Sequence, residues 1–319
     1  MTLTTPPRPY DILKHFPGLA PYAKSAVRLH PRRGAPGIDQ SSIGGPLLWP
    51  ADEPWPVCGL SHEPGMEEPF DGILRHRVAE GSHRWCEPEL QTTREAPPSH
   101  DRNAPVPLIP VAQLYYRDVP GLPWADRYDL LQILWCPLDH TGTRTDTPYC
   151  PAFQIRWRRT EEVHEKLAVQ PRPVMCVDEY VPNPCVVCPE VVTEYPNIST
   201  LPEALRRAIG DWEDQTGNST AYSQDIATAP GWKVMGHGGY WGIIDPYPMM
   251  CECGEEQLPL FTAASGEFDG GTRSWRPSEE AESGRDLSDP VGVTIGRGYA
   301  LQLYYCPTSE HHANRTEMS

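Results

Sequence analysis

Thirty-eight of the 319 residues are proline, against a usual share of about 5%. Proline has no N–H to donate and its ring clashes with the preceding turn, so it is kept out of helix interiors and central strands. Only short elements joined by stiff loops fit between so many prolines. The expected fold class is therefore α+β and β-rich, with few helices and long Pro-rich loops. The length suits one large domain or two of ordinary size. With five Phe against ten Trp and fourteen Tyr, the core is expected to lean on amphipathic aromatics.

Three stretches read as strands. "VPLIPVAQLYY" (106–116) and "YDLLQILWC" (128–136) are apolar, and "AFQIRWRR" (152–159) alternates apolar with polar residues. The clearest helix is "STLPEALRRAIGDWEDQTG" (199–217), centred on about 200–215. Ser199 or Thr200 is expected to cap it and Pro202 to sit in its first turn, with Leu201, Leu205, Ile209 and Trp212 on one packed face. Residues 61–105 are polar and read as a long, loosely packed insertion.

Two segments 170 positions apart nearly coincide: "LQILWCP" (131–137) and "LQLYYCP" (301–307). Around them a weak duplication emerges. "GGPLLWPADEPWPVC", "VPLIPVAQL" and "LQILWCPLDH" run parallel to "GHGGYWGIIDPYPMMC", "QLPLFTAAS" and "LQLYYCPTSEHH", with Gly44 to Trp49 spaced as Gly236 to Trp241. The reading is two related β-rich halves, 1–180 and 181–319, packed as one unit. In each repeated strand the Leu and Ile/Leu positions are expected to face the core and Gln to point the other way.

Cysteine and histidine spacing supplies the one candidate site. Cys251, Cys253 and Gly254 resemble a zinc knuckle, and Cys306 and His311 (with His312 beside it) follow the last strand of the same half. Ligands at Cys251, Cys253, Cys306 and His311 would close a tetrahedral structural zinc site. The same residues also read as ordinary thiols and a buried core cysteine. Cys185 and Cys188 read as a second knuckle or as two buried strand thiols. Cys58 with His62 and Cys136 with His140 read as a degenerate metal site or as core cysteines with surface histidines. Nucleophile-elbow, Walker, His-Glu-x-x-His and dinucleotide motifs are absent from the sequence. Asp245, Glu267 and Asp269 would have to meet across a cleft to act as acid and base. Trp49, Trp55, Trp241 and Trp275 read as core or as the lining of a sugar or peptide groove.

A formal net charge of −16 repels phosphate backbones, so nucleic acid is not an expected partner, whereas a basic protein is. No apolar run reaches membrane-spanning length, and the N-terminal segment lacks a secretory apolar region. The expectation is a cytoplasmic protein with reduced cysteines.

The stretches "SSIGGPLLWPADEPWPVC", "PGWKVMGHGGYWGIIDPYPMMCECG" and "SGEFDGGTRSWRP" resemble the YwqG-like family of unknown function, in its long actinobacterial type. The likeness spreads over about 25–312. It implies one β-rich globular unit with two related halves and, at Cys251, Cys253 and Gly254, the family's Cys-Gly turn before an apolar strand; "EEQ" departs from that pattern. No catalytic residues transfer from it, and an immunity-type role is implied by analogy alone. Function is thus expected to be non-enzymatic protein binding, with a zinc-dependent enzyme or a sugar- or peptide-binding module as alternatives.

Overall fold

The structure is a computed structural model that describes residues 2–63, 65, 67–79, 104–140, 149–238, 247–281 and 287–318. Sixteen short strands follow in order: β1 (Lys24–Arg28), β2 (Arg32–Arg33), β3 (Ser42–Ile43), β4 (Val57–Cys58), β5 (Glu67–Pro69), β6 (Val106–Pro107), β7 (Ile109–Tyr115), β8 (Leu130–Cys136), β9 (Ala152–Arg158), β10 (Met175–Val177), β11 (Cys185–Val186), β12 (Glu190–Glu194), β13 (Lys233–Met235), β14 (Leu258–Ala264), β15 (Ala300–Tyr305) and β16 (Thr316–Met318). The α-helices among the described residues are α1 (Ile12–His15), α2 (Phe70–Ala79) and α3 (Glu203–Thr216), with a π-helix at Ala221–Ala227 and several 3-10 turns between elements. Among the described residues no strand exceeds seven residues, as the proline density demands. The fold is α+β and β-rich.

Two six-stranded sheets dominate, in the orders β2-β11-β3-β7-β8-β9 and β12-β1-β13-β14-β15-β16. They do not divide at residue 180. β1 sits between β12 and β13, and β11 sits between β2 and β3, so each half of the chain lends one strand to the other's sheet.

The central pairs of the two sheets match residue for residue. β7 pairs β8 through Ala112↔Ile133, Gln113↔Gln132 and Leu114↔Leu131, with a register shift between Pro110 and Ala112. β14 pairs β15 through Phe261↔Leu303, Thr262↔Gln302 and Ala263↔Leu301, with its shift between Pro259 and Phe261. Alternation then sorts the faces. Leu131, Ile133 and Trp135 join Leu301, Leu303 and Tyr305 in one core cluster, and Phe153 meets Phe261 edge-on at 6.5 Å. The glutamines point away, as expected: Gln132 donates to Leu48 O at 2.8 Å and Gln113 Oε1 at 2.9 Å, while Gln302 accepts from Tyr304 Oη at 3.0 Å. Cys136 and Cys306 lie on this same outer face, at or just past the strand ends. The register shifts the expected glycine match by one position: Ile43 and Val234 pair the register-matched Ala112 and Phe261, which sets Gly44 (φ 63°) against Met235 (φ 64°) and not against Gly236.

Two expectations are corrected. The insertion is not loosely packed throughout: Phe70 and Ile73 enter the main core, β5 pairs β10, and Arg77 bonds Asp178 and Val181 O. Residues 80–103 lie outside the described ones. The helix is α3, and its N-cap position is Pro202, not Ser199 or Thr200; Asn197 caps a preceding turn at 198–200 by accepting from Ser199 N. Ile209 and Leu201 are buried in a second cluster, with Leu205 and Trp212 packed against it.

Beside the exchanged β1 lies a buried ion pair. Lys233 Nζ meets Glu194 Oε1 at 2.6 Å, both side chains at most 2% exposed. Burial pushes the Lys233 amine down, and Glu194 opposes that push. Glu194 also accepts from Ala229 N and His237 N. Lys233→Met leaves that carboxylate buried without its cation, so denaturant unfolding should report a loss of about 3–5 kcal/mol. An unchanged midpoint would show that the pair does not hold β12, β1 and β13 together.

Candidate metal centres

The chain reverses tightly after Met249. Cys251 N donates to Glu255 O at 2.8 Å, Gln257 N to Met249 O at 2.7 Å, and Gly254 N to Cys251 O at 3.0 Å. Gly254 takes φ +92°, where a side chain would be strained. This reversal throws Cys251 and Cys253 toward the end of β15. Buried Gln257 then ties the turn to the chain beyond Cys306, donating to Ala313 O at 2.7 Å and accepting from Arg315 N at 3.0 Å.

The donors that meet there are Cys251, Cys253, Cys306 and His312, all mutually within 4.8 Å. Cys253 Sγ lies 3.6 Å from Cys306 Sγ, and His312 Nδ1 lies 3.2 Å from Cys306 Sγ and 3.5 Å from Cys251 Sγ. A tetrahedral ion with bonds of about 2.0–2.3 Å has donor–donor edges of about 3.3–3.8 Å. Burial pushes the Cys306 thiol up, but hydrogen bonds from His312, the Thr308 and Ser309 amides and Cys253 outweigh it and bring it down to about 6.

His311 is not among the donors. Its side chain is 82% exposed, 3.9 Å from Glu310. Glu310 is drawn inward by Arg127 (2.6 Å) and Tyr128 (3.2 Å), so the next residue faces solvent and the one after it, His312, turns back to the sulfurs. Sequence spacing alone could not choose between adjacent histidines.

A second quartet forms at the end of β8: Cys58, His62, Cys136 and His140, again within 4.8 Å. Cys58 lies on β4 against β6, and His62 bridges His140. Cys58 Sγ is 3.4 Å from His140 Nε2, and Cys136 Sγ is 3.4 Å from His62 Nε2. His140 Nδ1 donates to Cys150 O at 3.0 Å, which leaves the Nε2 lone pair facing the sulfur. A hydrogen bond from Cys136, supported by His140, His62 and the Leu60 amide, holds the Cys58 thiol well below its usual range. Burial pushes Cys136 up, and the charge of Cys58 pushes it further.

The remaining candidates stay apart. Cys185 is buried, with its thiol toward Pro290 O, and neither it nor Cys188 joins a quartet. Glu267 is buried and accepts from Trp232 N; Asp269 accepts from Gly271 N and Thr272 N in a local turn. Trp49 packs against Trp55 with the rings tilted at 53°, Trp275 lies under Arg8, and both Trp49 and Trp275 are 1% exposed. Asp245 and Trp241 lie outside the described residues. No disulfide links the described cysteines, and no helix among them is long and apolar enough to cross a membrane.

No family model matches the chain, and no curated protein does. The chemistry of the donors therefore carries the functional reading.

Substituting the two histidines separates their roles. His312→Ala should lower metal affinity at the C-terminal quartet at least tenfold, and His311→Ala should leave it unchanged, read by competition with a chromophoric chelator. The reverse order would show that the loop turns His311 inward in solution.

Proposed function

We propose that this chain is a non-enzymatic protein-binding module, in which a structural zinc ion at Cys251, Cys253, Cys306 and His312 braces a knuckle that meets a basic protein partner. The observation that supports it is the donor set: three sulfurs and one imidazole, all from the chain and all within 4.8 Å of one another. Sulfur-rich sets favour zinc over calcium or magnesium. Hydrolytic zinc keeps a coordination position for water, whereas four protein ligands leave none.

The knuckle carries exposed Glu252, Glu255 and Glu256, flanked by Met250 and Leu258, themselves 44% and 36% exposed. Carboxylates beside apolar side chains suit a lysine- or arginine-rich segment, whose charged ends pair while its aliphatic stems cover the apolar surface. The net charge of −16 steers such a partner in from a distance. The sequence likeness to YwqG-like proteins is consistent with an immunity-type role by analogy only.

Polylysine of fixed length is a suitable probe. Binding should be salt-sensitive, and the triple variant Glu252→Gln, Glu255→Gln, Glu256→Gln should weaken it at least fivefold by calorimetry, with melting temperature unchanged. Equal affinity in the variant would remove the knuckle from the proposed interface.

A further inference from the structure

We propose that the N-terminal quartet, Cys58, His62, Cys136 and His140, is a second closed zinc site, so that the chain holds one ion at the end of each central strand pair. The choice of metal rests on the zinc reading of the C-terminal quartet; the geometry rests on separate residues.

Strand register carries the inference. In the N-terminal half Val57 pairs Pro107 and Cys58 pairs Val106. In the C-terminal half Met250 bridges Glu256, and Cys251 N bonds Glu255 O. The spacing that carries β7 onto β14 carries Pro107 onto Glu256 and Val106 onto Glu255. Cys58 therefore occupies the place of Cys251, just as Cys136 occupies that of Cys306. The third donor follows the central strand in both halves, as His140 or His312. The fourth comes from the knuckle turn, as His62 or Cys253. In the C-terminal half only residues 252–254 fill that turn. In the N-terminal half residues 59–105 fill it, so the polar insertion is a grown knuckle whose first donor is His62.

The surroundings of the sulfurs agree. Cys58, Cys136, Cys253 and Cys306 each take a backbone hydrogen bond from the residue two positions on: Leu60, Leu138, Glu255 and Thr308. Such amides neutralise part of the charge of a metal-bound thiolate. His140 also has the outer partner, Cys150 O, that metal-binding imidazoles usually have. A core thiol needs neither feature.

The two sites differ in access. Cys58, Cys136 and His140 are buried and His62 is half-buried, whereas Cys253 is exposed. The C-terminal ion is expected to leave first when a chelator is added.

Zinc per chain, measured by plasma mass spectrometry on the full-length protein, tests this. Wild type should hold two ions, Cys58→Ser/Cys136→Ser one, and Cys253→Ser/Cys306→Ser one. A wild type with one ion, kept by the N-terminal double variant and lost by the C-terminal one, overturns the inference and leaves the C-terminal site standing. One ion lost only with the N-terminal cysteines supports this site and removes the other. No bound zinc overturns both. Because loss of a ligand can unfold the chain, His62→Cys serves as the conservative check. It copies the Cys253 donor and should keep two ions. In the cobalt-substituted protein it should raise thiolate-to-cobalt charge-transfer absorbance by about one fifth, six thiolates replacing five. An unchanged spectrum would show that His62 is not a ligand.

Discussion

Everything in this structure hangs on the two-residue alternation of β8 and β15. Leu131, Ile133 and Trp135 on one strand and Leu301, Leu303 and Tyr305 on the other sink into a shared core. Burial of side chains of this size is worth about 1.5–3 kcal/mol each, and a slip of one residue would turn them all to the opposite face. With the inner face settled, Cys136 and Cys306 can only point outward. The core thus determines where sulfur chemistry is available, and the knuckle turns and the segments that follow β8 and β15 supply the remaining donors.

The reciprocal exchange of β1 and β11 ties the residues before and after position 180 into one unit. Neither six-stranded sheet can be completed by residues from one side of position 180. The buried Lys233–Glu194 pair sits where the borrowed β1 meets β12 and β13. Charges this deep are costly unless paired, so they favour the exchanged arrangement over any that would separate them. A doubly interlocked frame would suit the proposed metal clip at each strand end, because tetrahedral ligation tolerates little displacement of the donors.

Much of this was legible in the residues. Proline density excluded long strands, and "LQILWCP" against "LQLYYCP" picked out two strands of matching register and the faces of Leu and Gln. What was hidden depended on tertiary placement. The choice of His312 over His311 turns on Glu310 being captured by Arg127 and Tyr128, contacts made across more than 180 residues. Cys58 and His62 fall only four positions apart, yet the long insertion separates them from β6 and hides their likeness to Cys251 and Cys253. The packing of Phe70 and Ile73 was hidden for a related reason: a polar stretch can still contribute two apolar side chains to the core. The strand exchange left no local trace, since β1 and β11 read like any other short strands.

Zinc-edge X-ray absorption on the purified full-length protein tests the central claim most directly, because it reads the donors themselves. Five sulfurs and three imidazole nitrogens shared by two ions give a mean first shell of about 2.5 S at about 2.3 Å and 1.5 N at about 2.0–2.1 Å, four-coordinate throughout. A shell dominated by oxygen, or a fifth ligand, would contradict two closed sites built from the strand ends and their knuckles.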